Sequence, residues 1–120
     1  MTHRTYQEFT EEREALNELV LAKANLEIKR FFSLDSQAYR DGELPAKTKE
    51  MLGLVASLVL RCDDCISYHV GRCREEGVND GELQEGLAIG LVVGGSIVIP
   101  HLRRAVRTWE ETTGGEAAAP

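Results

Sequence analysis

Cys62, Cys65 and His69 stand in the stretch CDDCISYHV, residues 62–70. These residue types serve thiol redox chemistry, metal binding or, when buried, packing alone. On a helix, positions i, i+3 and i+7 share a face, so the two thiols and the imidazole line up, and Cys73 continues the stripe. A cysteine pair at this spacing can pass between dithiol and disulfide, and a helix N-terminus favours the nucleophilic thiolate. A nearby histidine can take or return the proton. A metal clip is the competing chemistry. One ion cannot collect all four side chains, because Cys62 and Cys73 lie roughly 16 Å apart on a helix, while Zn–S bonds are about 2.3 Å. A three-ligand site from Cys62, Cys65 and His69 with an outside carboxylate stays open. Free cysteines and lone histidines on apolar faces are most often core residues, and that reading suits Cys73 better than the pair with its histidine.

Glu50 joins this group only if the chain turns. On a continuous helix it would lie about 18 Å from Cys62, out of reach. If the chain reverses near Arg61, two antiparallel helices place Glu50 and His69 at heights that differ by only about 4–5 Å, close enough to meet directly or through a water. Taken alone, Glu50 reads as a solvated first-turn glutamate beside Lys47 and Lys49.

The elements that must hold these residues are all helical. Thr10 before Glu11 and Glu12 reads as a helix cap, and Leu16, Leu19, Val20 and Ala24 follow at helical spacing. Ile28, Phe31, Phe32 and Ala38 extend the pattern to a stop at Asp41-Gly42, as one bent helix or two. ELPAKTKEMLGLVASLVL, with Pro45 near its start, reads as a central helix. The next helix runs from about Asp63 to Glu76 and stops at Gly77. Asn79 and Glu82 form a capping box for a helix through Val93, which Gly94-Gly95 ends. Ser96 reads as the cap of a last helix carrying Pro100, Leu102, Ala105, Val106 and Trp109. No alternating run suggests a strand, so the expected fold is all-α: a single-domain bundle of five to seven helices. Residues 1–9 read as an N-terminal extension, 10–112 as the helical domain and 113–120 as a disordered tail. Gly86, Gly90 and Gly94 recur every four residues, a pattern for close helix packing or a channel that needs backbone approach.

Composition narrows the partners. The chain has 120 residues, a formal charge of −6 and a pI near 5.1, with no excess of cations to neutralise phosphates, so nucleic acid is not an expected partner. The longest apolar run, Gly86 to Pro100, is glycine-broken and short of the roughly 20 residues a membrane span needs. No export signal is visible at the N-terminus, and a cytoplasmic location is expected, where a CxxC signals redox chemistry or metal more often than a disulfide scaffold.

The pattern Glu50, eleven residues, Cys62-Asp63-Asp64-Cys65, three residues, His69 resembles the signature of the alkylhydroperoxidase D-like branch of the carboxymuconolactone decarboxylase family. LPAKTKEMLGLVASLVL before the motif and GVNDGELQEGLAIGLVVGG after it are similar as well, so the likeness covers about residues 43–110. The N-terminal 40 residues add little to it. The resemblance implies an all-α, homo-oligomeric protein, a trimer or hexamer, with antioxidant peroxidase activity. It casts Cys65 as the nucleophile that attacks peroxide, Cys62 as proton donor and resolving thiol, and Glu50 and His69 as the proton relay. A lipoylated or thioredoxin-like protein would reopen the disulfide, attacking at Cys62. No cofactor and no metal enter this reading. Peroxidase members often carry a histidine just before the second cysteine, where this chain has Asp64. Asp63 and Asp64 would oppose thiolate formation if they face the pair. The rival readings are a non-enzymatic redox-responsive oligomer, a lactone decarboxylase-like enzyme and a metal-binding protein. His101 reads as a core or surface residue, Arg103, Arg104 and Arg107 as surface or subunit contacts, and Tyr68 as a pocket border or a packing residue.

Overall fold

A reversal of only two residues organises the molecule. In the computed structural model, which describes residues 3–113, helix α3 (Ala46–Leu60) stops at Arg61, whose φ of 60° lies in the left-handed region. Cys62 then opens helix α4 (Asp63–Glu75), and the two helices pack side by side in opposite directions. Left-handed backbone at a non-glycine residue costs about 1 kcal/mol, and the apolar contact between α3 and α4 offsets it.

Helix α5 (Asp80–Gly94) packs on the other side of α3, and α6 (Ile99–Thr112) packs on α4. The core sits among these four helices: Leu54 and Leu58 from α3, Ile66, Val70 and Cys73 from α4, Leu83 and Leu87 from α5, and Ala105 and Trp109 from α6. The expected capping box of Asn79 and Glu82 is present in both directions, and Gly77, at φ 85°, ends α4 as expected. The glycines of α5 serve packing within the chain: a Cβ on Gly86 would come within 2.7 Å of Met51, and one on Gly90 within 2.7 Å of Leu58. The missing Cβ matters most at Gly90, against fully buried Leu58, since the Met51 methyl at Gly86 ends a flexible side chain.

Two N-terminal helices, α1 (Tyr6–Lys23) and α2 (Leu26–Ala38), lie outside this core. Helix α1 starts five residues earlier than a cap at Thr10 implies. Thr5 is the cap, because Glu8 stands three positions later and returns the bond, Thr5 Oγ1 accepting from Glu8 N–H at 3.1 Å and Glu8 Oε1 from Thr5 N–H at 3.0 Å. Thr10 has Arg13 at that offset and cannot close the box. The segment 10–41 is two helices rather than one, since Asn25 caps a new start by accepting from Ile28 N–H at 3.0 Å. Helix α2 ends at Ala38 rather than at Asp41-Gly42; Asp41 instead accepts at 2.7 Å from the N–H of Ala46, the first residue of α3, whose N-cap position is Pro45. Ser96 makes no capping bond and belongs to a short 3-10 turn, Ser96–Val98, ahead of α6. Of the expected C-terminal tail, Thr113 caps α6 and residues 114–120 lie outside the described residues, as do 1 and 2. Among the described residues there is no strand, and no helix is long and apolar enough to cross a membrane.

Candidate functional site

The antiparallel pairing of α3 and α4 brings Glu50 and His69 into direct contact, with Oε1 and Nδ1 2.9 Å apart. Both are buried, Glu50 at 1% exposure and His69 at 8%. A carboxylate so placed needs partners for both oxygens, and Arg72 supplies the second, its Nε 3.2 Å from Oε2. Arg72 also binds Glu76, at 3.1 Å, and Glu75. Burial works against its charge, but the bond to Glu75 and the charge of Glu50 outweigh that and hold its pKa above the ordinary guanidinium value. Arg72 stands three residues after His69 on the same helical face, a spacing legible in the sequence but not used there.

Cys62 and Cys65 are joined as a disulfide, with Cα atoms 5.3 Å apart. Cys62 is the N-cap of α4, and its Sγ accepts from Cys65 N–H at 3.3 Å. In the reduced state this position favours thiolate, since the unpaired N–H groups of the first turn present positive charge. Cys65 is exposed and Cys62 half-buried. Cys73 is fully buried in the core. Burial, with the charge of Glu50 next, pushes its thiol up to about 12, which removes it from thiol chemistry at neutral pH.

Cys65 and His69 share the wall of a cavity of about 340 Å³. Its far side comes from the N-terminal helix: Phe9, Arg13 and Leu16 face Cys65, Tyr68 and His69. Arg13 lies over the Tyr68 ring, 4.0 Å from its centre, so Tyr68 does border the cavity. The N-terminal 40 residues therefore supply most of its lining. No local pattern announces this, because α1 reaches the site through tertiary packing alone.

The two aspartates of the motif are each met by cations. Asp64 accepts from Arg4 at 2.7 Å, and Arg4 also binds Glu12 at 2.6 Å and lies over Phe9. Asp63 binds His101 at 2.8 Å and Arg104 at 3.0 Å. Their opposition to a thiolate is reduced accordingly. His101 and Arg104 are thus ties between α6 and the start of α4. Among the described residues, no three His, Cys, Asp or Glu side chains are grouped to hold a metal ion.

The profile of the carboxymuconolactone decarboxylase family matches residues 28–108, more than half of the chain. The protein belongs to that family. Two crystal structures of a Thermotoga maritima protein are similar at 60% identity. One covers 95% of this chain and 100% of its own at a TM-score of 0.91. The other, with a TM-score of 0.86, covers 92% and 93% and is described as a carboxymuconolactone decarboxylase family protein with a suggested part in antioxidative response. A family member from Legionella pneumophila, 23% identical over 90% of this chain and 96% of its own, shares the fold at a TM-score of 0.84. An uncharacterised protein of the Paracoccus denitrificans cox locus is 26% identical over 83% of this chain and 89% of its own length. Within the carboxymuconolactone decarboxylase family, the Glu50, Cys62, Cys65 and His69 arrangement is consistent with the alkylhydroperoxidase D-like branch.

Proposed function

We propose that the protein is a thiol-dependent peroxidase in which Cys65 is the nucleophile, Cys62 the resolving thiol, and Glu50 with His69 the proton relay. The observation that carries this reading is a cysteine pair at a helix N-terminus, with Cys65 on the wall of a cavity that it shares with a histidine backed by a buried carboxylate. The Cys65 thiolate attacks one peroxide oxygen, the O–O bond breaks, and the alcohol or water leaves with a proton from the relay. Cys65 becomes a sulfenic acid. Cys62 displaces its oxygen as water and closes the disulfide. A dithiol reductant, a lipoylated or thioredoxin-like protein in the cytoplasm, returns two electrons by thiol exchange.

The reading includes assembly into a trimer or hexamer. Helix α2 buries no residue, while Phe31 and Leu34 on it are 67% and 64% exposed. A 13-residue helix is marginal in water without packing, and Leu16 and Leu19 of α1 are exposed as well. Subunit contacts would cover these faces.

The test is loss of cumene hydroperoxide and hydrogen peroxide in the presence of a dithiol, with wild type, Cys65→Ser and Cys62→Ser. Turnover by wild type, abolished in Cys65→Ser, supports the mechanism, and turnover that survives Cys65→Ser removes the nucleophile. A reversible disulfide with no turnover would favour a redox-responsive oligomer instead.

A further inference from the structure

Glu50 accepts on both oxygens, from His69 Nδ1 and Arg72 Nε. An ionised carboxylate is an acceptor only, so neutral His69 carries its hydrogen on Nδ1 and presents Nε2 as a lone pair. That nitrogen is the one left to handle a proton. The hydroxyl of Tyr39, at the end of α2, lies 3.4 Å from it, with the two rings 5.3 Å apart. This is long for a hydrogen bond, as such contacts often are before substrate binds.

Gly53 makes the contact possible. A Cβ there would stand 2.7 Å from His69 Cε1, 2.8 Å from the Tyr39 hydroxyl and 2.9 Å from His69 Nε2, closer than a carbon is tolerated. A glycine inside a helix costs about 1 kcal/mol relative to alanine, yet α3 keeps one where the imidazole and the phenol meet. The α2–α3 turn holds Tyr39 in place: Asp41 accepts from Ala46 N–H at 2.7 Å, and Lys49 donates to Arg40 O at 2.7 Å.

We propose that Tyr39, seated over Gly53, is a positioning residue for the Glu50–His69 pair, accepting from Nε2–H once the imidazole is charged. This rests on the thiol chemistry above. In the neutral ring the long 3.4 Å contact leaves the Nε2 lone pair open to the thiol proton, and a hydroxyl accepts from Nε2–H when the imidazole is charged. Burial, followed by the charges of Asp35 and Glu50, raises the Tyr39 pKa, so the hydroxyl keeps its hydrogen. The charge-assisted bond is the stronger of the two, so Tyr39 favours the imidazolium that forms when His69 takes the thiol proton. The charged and titratable groups around the pair are Tyr39 and Asp35 from α2, Glu50 from α3, Cys65, Tyr68 and Arg72 from α4, and Arg13 from α1.

The experiment follows the rate of Cys65 alkylation by iodoacetamide against pH in fully reduced wild type, Tyr39→Phe and Gly53→Ala, read by mass spectrometry, with peroxide turnover measured in parallel. Tyr39→Phe loses only a hydroxyl. The expected result is an alkylation midpoint raised by about half a pH unit, or roughly threefold slower alkylation near pH 7, with kcat lowered and KM unchanged. Gly53→Ala presses on the His69 ring as well as on the hydroxyl and is expected to shift the midpoint at least as far; if that variant fails to fold, Tyr39→Phe decides alone. A Tyr39→Phe profile that superimposes on wild type overturns the proposal. A shifted profile in a protein that turns over no peroxide keeps the positioning role and sinks the peroxidase reading, so the two failures are distinct.

Discussion

Replacing Glu50 by glutamine removes one charge from a site of 1% exposure while keeping the side-chain volume. The amide has one acceptor oxygen and one NH2 group, whereas both neighbours, His69 Nδ1 at 2.9 Å and Arg72 Nε at 3.2 Å, donate. If the amide oxygen faces His69, its NH2 meets the guanidinium N–H. If it is flipped, the NH2 meets Nδ1 and forces the other tautomer. The first orientation leaves a buried donor unpaired, at about 1–3 kcal/mol, the second holds the imidazole in the other tautomer, and both lose the charge-assisted part of two bonds. Breaking a buried ion pair commonly costs about 3–5 kcal/mol, but Arg72 keeps Glu75 and Glu76. The expected loss is therefore about 2–3 kcal/mol. For a domain of this size that is a fall in Tm of about 8–12 °C, read by circular dichroism on the oxidised protein. Peroxide turnover should fall by about 100-fold or more, since the imidazole loses the group that sets its tautomer. A Glu50→Gln protein that melts within about 2 °C of wild type and turns over peroxide within about twofold of it would refute the claim that this carboxylate organises the site.

Three further outcomes follow from the geometry. Cys73, with its thiol pushed from 9.0 to about 12, stays protonated in the fold after the unfolded chain has lost its proton. Stability is therefore full below pH 9 and falls above it by up to about 1.4 kcal/mol per pH unit until about pH 12; melting curves should drop more steeply in wild type than in Cys73→Ala across that window, and parallel curves would count against a buried thiol. Arg61→Gly relieves the left-handed backbone at φ 60° and should raise stability by about 0.5–1 kcal/mol in urea unfolding; a destabilised variant would contradict strain at that turn. Gly90→Ala puts a Cβ 2.7 Å from Leu58 Cδ2 and should lower stability by about 1–3 kcal/mol, whereas Gly81→Ala, with only Asn79 Oδ1 nearby at 3.5 Å, should not.

Much of this protein was readable before any coordinates. The periods of the apolar residues, the Asn79–Glu82 capping box and the glycine stops define the four core helices, because caps and helical faces are local properties of a few consecutive residues. Even the approach of Glu50 to His69 followed from the rise of a helix and one assumed reversal near Arg61. The start of α1 is equally local, since Thr5 and Glu8 spell the box. What the chain order could not supply is everything that crosses between distant segments: Arg4 on Asp64, His101 on Asp63, and Tyr39 on His69 over Gly53. Those contacts join residues separated by 30 to 60 positions. They depend on how whole helices pack, which is set by the sum of many side-chain volumes rather than by any pattern within one helix.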